Sequence, residues 1–299
     1  MEEENKTNRP PNSGGEFWLE RQIPCLDHGF VKLVDFMGND AEIARAARVS
    51  YGRGTKKVRE DEALIRYLLR NKHTSPFEMV EIKLHCKMPI FVARQRIRHR
   101  TANVNEYSGR FSEMSSEFYV PSPDVLKKQS EENKQGREGE LSDEQKQEVL
   151  SLLVGDYEKV FTDYKHLIEI GLAKELSRLG LPVANYTEWF WKIDLHNLFH
   201  FLRLRLDPHA QYEIRVYAEA IAQIVKDLCP ASYQAFEDYI LYSISFSKQE
   251  IEWIRKLVSG TFSISDEYIQ QNTPFENEKG KSIMRETKSL IEKIRKLGF

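Results

Sequence analysis

The sequence predicts an α+β fold, rich in helix, with a mixed sheet and flanking helices. Three observations lead there. Residues 80–88 alternate strictly: Val80, Ile82, Leu84, Cys86 and Met88 point one way, and Glu81, Lys83, His85 and Lys87 the other. That is a strand with one buried face. Several longer segments instead repeat apolar residues at spacings of three and four, the period of a helix packed on one side. No internal repeat is visible, so a solenoid or propeller is not indicated.

The elements follow in chain order. Residues 1–15 carry Pro10-Pro11 and Gly14-Gly15 and almost no large apolar side chain, which reads as a disordered extension. Residues 27–35 read as a short strand. Asn39-Asp40 is placed to cap a helix through Ala41–Val49. Residues 61–72 repeat Leu64, Tyr67 and Leu68 at helical spacing, and His73-Thr74-Ser75-Pro76 ends that run because proline disfavours helical geometry just before it. After the strand at 80–88, Pro89 is suited to open a helix from about Ile90 to Arg98. Residues 127–148 are almost wholly polar and read as a solvated insert. Residues 149–177 read as a helix, closed by Leu181-Pro182. The aromatics Trp189, Phe190 and Trp191 read as core or interface. Leu195, Leu198, Phe199, Leu202 and Leu206 form a helical stripe that Asp194 is placed to cap. Ile214, Tyr217, Ala218, Ile221, Ile224, Val225 and Leu228 form the clearest amphipathic helix, ended by Pro230. Further helices are expected at 248–258 and 283–297. The domain division read from this is a disordered 1–15, a catalytic domain over 16–245 that contains the insert, and a helical extension over 246–299.

Composition narrows the function class. The 299 residues hold 44 Lys and Arg against 46 Asp and Glu, a net charge of −2, so bulk attraction to nucleic acid or to an anionic membrane is not expected. No apolar run approaches the roughly 20 residues that span a bilayer. The polar, acidic N-terminus lacks the apolar core of a secretory signal, so a cytoplasmic location is expected. The three cysteines, Cys25, Cys86 and Cys229, are widely spaced; they match neither a zinc pattern nor a disulfide framework and read as small buried hydrophobes.

Chemistry concentrates between residues 94 and 110. Five arginines (Arg94, Arg96, Arg98, Arg100 and Arg110) accompany one acid, Glu106, and His99. The planar guanidinium suits phosphate and carboxylate recognition. Gln95 and Arg98 lie three apart and share a helix face. Asn103, Asn105, Ser108 and Gly109 are loop residues, and Gly109 permits close approach. The pattern points to an anionic ligand with polar edges, such as a nucleotide. A solvated basic helix with a polar loop remains open on composition alone. An RNA-binding patch fits less well, since interleaved aromatics are missing.

The spacing Arg98-His99-Arg100, seven residues, then Ser108-Gly109-Arg110 resembles the signature of the flavin-dependent thymidylate synthases, the ThyX family. The surroundings resemble that family too: Pro89-Ile90-Phe91-Val92-Ala93-Arg94-Gln95 before the signature, Ala46-Ala47-Arg48-Val49-Ser50 and His73-Thr74-Ser75-Pro76-Phe77-Glu78 upstream, and Leu204-Arg205-Leu206-Asp207-Pro208-His209-Ala210-Gln211 downstream. The likeness spans about residues 26–242.

The resemblance implies a methyltransferase that makes dTMP from dUMP, with 5,10-methylenetetrahydrofolate as carbon donor and NADPH-reduced FAD as hydride source. It implies dUMP contacts at Gln95, Arg98, Glu106, Tyr107, Ser108, Gly109, Arg110, Arg178 and Arg205. FAD contacts are implied at Ser50, Ser75, Arg98, His99, Arg100, Glu106, Asp194, His196 and His200; the last three stand where some relatives carry Asn, Arg and Asn. Arg205 is implied as the catalytic cation beside the uracil, and a homotetramer with shared active sites as the assembly. Thiol-dependent thymidylate synthases need a cysteine nucleophile; this motif holds Ser108 instead, and with no neighbouring base it reads as a ligand contact before a nucleophile. His196 and His200 form an H-x-x-x-H pair, but the glutamate and third ligand of a zinc site are missing, so no metal is expected. Two other readings stand beside this one: a non-catalytic nucleotide- or nucleic-acid-binding protein, and a metal-dependent phosphohydrolase using His196, His200 and Asp207.

Overall fold

A computed structural model describes residues 11–49, 61–131 and 135–252, with isolated positions beyond. Among the described residues the strands are β1 (Gln22–Cys25), β2 (Gly29–Met37), β3 (Glu81–Pro89), β4 (Asn103–Glu106), β5 (Lys127–Gln129), β6 (Arg137–Glu140) and β7 (Tyr186–Asp194). The α-helices are α1 (Ser13–Trp18), α2 (Asp40–Val49), α3 (Asp61–Arg70), α4 (Ile90–Arg96), α5 (Asp143–Glu169), α6 (Lys174–Ser177), α7 (Leu195–Arg205), α8 (Tyr212–Leu228) and α9 (Pro230–Phe236). The chain divides into a unit over Met1–Tyr242 and a second over Ser243–Phe299.

The α+β class holds. The main sheet runs β1-β2-β3-β7-β4. Its four ladders are antiparallel, where a mixed sheet was expected. β1 and β2 form a hairpin; β3, β4 and β7 are joined by excursions that bring each strand back along its neighbour in the reverse direction, which leaves no parallel ladder to form.

The alternation in β3 does what it predicts. Ile82, Leu84, Cys86 and Met88 are fully buried, and β3 lies centrally between β2 and β7. β7 repeats the pattern with Trp189, Trp191 and Ile193 inward and Phe190 and Lys192 outward. Onto the inner face pack the apolar stripes of α7 and α8, with Leu198, Phe199, Leu202, Ile214, Tyr217, Ile221 and Ile224 all at or near zero exposure. Phe199 stacks on Phe236 of α9, ring centroids 4.6 Å apart. Burial of each such side chain contributes about 1.5–3 kcal/mol. The three cysteines lie inside this core as free thiols, and burial pushes the Cys25 thiol up to about 12.

Two expectations are corrected. The extension read as disordered over 1–15 already enters α1 at Ser13: Asn12 Oδ1 accepts from Gly15 N, and Asn12 Nδ2 donates to Leu228 O. Residues 1–10 lie outside the described residues. In the insert at 127–148, β5 and β6 pair antiparallel and are followed by the first turns of α5; residues 132–134 lie outside the described residues. Ser142 and Gln145 make a reciprocal capping box there, so the helix starts at Asp143 rather than 149. It stops at Glu169 because Gly171, at φ +88°, turns the chain and returns Leu172 N to Leu167 O. Asn39 caps α2 as expected, while Asp40 accepts from Ala231 N and Ser232 N at the start of α9.

In the second unit Ser247 and Glu250 cap a helical turn that begins the stretch expected at 248–258. The rest of that stretch and most of 283–297 lie outside the described residues. No helix among the described residues is long and apolar enough to cross a membrane.

Candidate active site

α4 carries the first half of the arginine-rich segment. Pro89 opens it, and it stops at Arg96, two residues short of the expected end. Arg98 N and His99 N still bond to Gln95 O and Arg96 O, so one tight turn extends the helix. That turn directs alternate side chains apart. Arg96 is fully buried, its guanidinium 4.0 Å from the Trp191 ring centroid and 5.5 Å from that of Phe201. Aromatic faces and the neighbouring Cys86 thiol surround its charge. Arg98 and Arg100 face outward and are exposed.

His99 is buried at the junction with α7. Its ring meets Phe201 edge-on at 4.9 Å and lies 6.0 Å from His200. Arg205, at the last turn of α7, donates from Nε to His99 Nε2 at 3.1 Å. Burial first, then the charges of Arg205, His200 and Arg96, push the His99 imidazole down to about 4. The ring is therefore neutral near pH 7, with its proton on Nδ1 and Nε2 free to accept. Arg205 is half-buried, and its loss of water lowers its pKa without removing its charge.

β4 then carries the chain away along the edge of β7, from Asn103 opposite Lys192 to Glu106 opposite Trp189. At about 3.4 Å per residue this moves the second half of the signature some 10 Å from the first. Glu106 Oε1 accepts from Thr187 Oγ1, and Tyr107 OH donates to Glu113 O. Ser108 O starts a turn by accepting from Phe111 N and Ser112 N. Gly109 is buried against Arg178: a Cβ there would stand 3.0 Å from Arg178 Cδ and 2.8 Å from Met114 Sδ. Arg110 Nε donates to Glu175 Oε2 at 2.8 Å.

The structure thus forms two groups from the residues singled out in the sequence. Arg205, His99 and His200 meet at the junction of α4 and α7. Ser108, Gly109, Arg110 and Arg178 meet beside α6. Among the described residues no hydrogen bond or ion pair joins one group to the other. Gln95 belongs to a third cluster, its Nε2 donating to Gln211 Oε1. Ser75 is exposed in the turn before β3, its carbonyl accepting from Glu78 N. Asp194 caps α7, its two oxygens accepting from Asn197 N and Nδ2. His196 is half-buried one residue into that helix, and Asp207 accepts from His209 Nδ1 and N. Ser50 lies outside the described residues.

The donor set fits a flavin dinucleotide. Arg98 and Arg100 are exposed and unpaired among the described residues, cations of the kind a diphosphate requires, and Ser75 and His200 are exposed polar side chains. Two functional candidates escaped the sequence reading. Glu213 sits at a core-facing position of the α8 stripe, four before Tyr217; a charge in an apolar stripe was the available signal. Arg137, which pairs with it, gave none, because it lies in a run that is polar throughout. A cavity of about 600 Å³ opens between α7, α8 and α9, lined by Arg203, Asp207, Lys226 and Tyr233; neither His99 nor Arg205 lines it.

Comparison with known proteins adds the following. Residues 32–231 match the family model described as thymidylate synthase complementing protein. The flavin-dependent thymidylate synthase of Ruegeria pomeroyi is 54% identical over 258 residues, 85% of each chain. That of Ehrlichia ruminantium (strain Gardel) is 56% identical over 242 residues, 81% of this chain and 82% of that one. Crystal structures of the UMP/dUMP methylase PolB from Streptomyces cacaoi, bound with 5-Br UMP and with 5-Br dUMP, superpose with TM-scores of 0.66 and 0.67 at 33% and 32% identity; each match covers 74% of this chain and all of the other.

Proposed function

This chain belongs to the flavin-dependent thymidylate synthase family, and on that premise we propose how its own residues carry out the methylation of dUMP to dTMP. The carbon comes from 5,10-methylenetetrahydrofolate. When bound, FAD reduced by NADPH supplies the hydride that completes the methyl group.

Arg205 is the catalytic residue in this reading. A fixed guanidinium beside the uracil stabilises negative charge as it develops on the base and so makes C5 more nucleophilic. No thiol is required, and burial raises the pKa of all three cysteines out of nucleophilic range. His99 holds Arg205 in place by accepting its Nε–H while remaining neutral. Arg98, Arg100, Ser50, Ser75, Glu106, Asp194, His196 and His200 hold the flavin. Gln95, Arg98 and the run Glu106–Arg110, with Arg178, hold the nucleotide.

The Arg205–His99 contact carries this reading. It joins two residues 106 positions apart, one from the signature and one from the downstream arginine segment.

We further propose a homotetramer in which different chains complete each site. Phe111 and Leu179 flank the Gly109–Arg178 contact and are 81% and 78% exposed. Large apolar side chains beside a ligand site are what a second copy would cover. Free thiols suit a cytoplasmic setting.

The test is NADPH oxidation by the purified protein with FAD, with and without dUMP and methylenetetrahydrofolate. Flavin absorbance, dUMP-dependent turnover and dTMP as product are expected. Protein that cannot be loaded with FAD, or that forms no dTMP, would sink the reading.

A further inference from the structure

The β5–β6 pair reaches the site through one buried carboxylate. Arg137, the first residue of β6, donates from Nη2 to Glu213 Oε2 at 2.6 Å and from Nη1 to Val125 O at 3.1 Å. The Glu213 side chain is only 4% exposed. Tyr119 OH donates to its Oε1 at 3.2 Å, and Gln211 Nε2 to its Oε2 at 2.8 Å. Gln211 Oε1 in turn accepts from Gln95 Nε2.

This chain of bonds has a direction. An ionised carboxylate only accepts, so Gln211 must present its NH₂ to Glu213. That places the Gln211 carbonyl towards Gln95, which must answer with its own NH₂. The Gln95 carbonyl oxygen is then left to face a ligand. A carboxamide can rotate its oxygen and nitrogen at little cost in shape, so only the network fixes which end points out. Burial pushes the Glu213 carboxyl up, but side-chain hydrogen bonds from Arg137 and Gln211, a backbone hydrogen bond and the Arg137 charge outweigh it and hold the group below its ordinary carboxylate range, ionised.

We propose that Arg137 and Glu213 are positioning residues for substrate: through Gln211 they fix the amide of Gln95, so that it presents a hydrogen-bond acceptor to dUMP. The polar insert is then a strut of the nucleotide site, not a solvated loop. The inference rests on Gln95 contacting dUMP.

The test uses holoenzyme carrying Arg137→Met, Arg137→Lys, Glu213→Gln or Gln95→Ala, and the Arg137→Met/Glu213→Gln double variant, which leaves no buried unpaired charge if a single change unfolds the protein. FAD content and thermal midpoint are measured with kcat and the KM for dUMP. Glu213→Gln and Arg137→Met are expected to raise that KM about tenfold, the worth of one misdirected hydrogen bond. FAD content and kcat at saturating dUMP should stay within about twofold. Arg137→Lys, which keeps the charge, should recover most of the loss. On the Gln95→Ala background, Arg137→Met should add nothing. An unchanged KM in Arg137→Met, or an effect that adds in full to that of Gln95→Ala, overturns the relay. If Gln95→Ala raises KM and Arg137→Met does not, the relay fails while the site assignment stands. If Gln95→Ala itself leaves KM unchanged, both fall.

Discussion

At the scale of single residues, His99 links stability to pH. Its folded pKa, about 4, lies below its ordinary 6.5, because burial first, and then the neighbouring Arg205, His200 and Arg96, oppose a second proton. Between those values the unfolded chain binds more protons than the folded one. The stabilising effect is therefore complete above pH 6.5 and is lost as pH falls through that window towards 4. Chemical denaturation at pH 7 and pH 4.5 should show a smaller difference for His99→Gln than for the unaltered protein; parallel losses would show that His99 does not titrate as described. Gly109 supports a second prediction. An alanine there must displace Met114 Sδ and press on Arg178 Cδ, atoms of flexible side chains rather than of backbone. Stability should change by less than about 1 kcal/mol, while dUMP binding, followed by titration of the flavin spectrum, weakens. Unchanged binding would detach Arg178 from the nucleotide site.

At the scale of elements, what was legible follows from what periodicity can report. β3, α7 and α8 pack one apolar face on the core, so their stripes were plain in the sequence and their boundaries fall close to expectation. β7 has an equally clear period in Trp189, Trp191 and Ile193, but three adjacent aromatics read first as a cluster rather than an alternation. α5 begins in a charged run, and only Tyr164 of its 27 residues is fully buried, so hydrophobic periodicity could not mark its start; the capping box at Ser142 and Gln145 could have. The site was legible as a set of residues but not as a geometry. Spacing alone does not reveal that β4 separates Arg98–Arg100 from Ser108–Arg110, or that a polar insert donates Arg137 to Glu213. α1 was hidden because its stability is tertiary. Six residues do not hold a helix alone; Asn12 caps this one and ties it to Leu228, and Trp18 Nε1 donates to Asp227 Oδ2 at 2.8 Å. Asn12→Ala should cost about 1–2 kcal/mol in denaturant unfolding. A cost near zero would mean that α1 contributes nothing to the first unit.

At the scale of the whole molecule, the separation between the two groups becomes a statement about assembly. Arg205 is fixed to His99 where α4 meets α7, and Arg178 to Gly109 beyond the far end of β4. On the proposed assignment of uracil to the first and phosphate to the second, a neighbouring chain would join them, because closed symmetric oligomers can bring unlike surface patches of identical subunits together. If each site takes Arg205 from one subunit and Arg178 from another, two inactive proteins can restore one another. Arg205→Ala and Arg178→Ala should each lose dTMP formation, and Arg205→Ala should keep its flavin. Mixed one to one under conditions that exchange subunits, they should regain up to about one quarter of the unaltered activity, the chance that two intact contributions meet in one site. A mixture that exchanges subunits, as seen by light scattering with a size-tagged partner, yet stays inactive would place both arginines in sites built within a single chain. Phe111→Glu together with Leu179→Glu supplies the complementary test: a charge in each exposed apolar patch should lower the oligomeric state and the activity together, and retention of both would leave this face outside the interface.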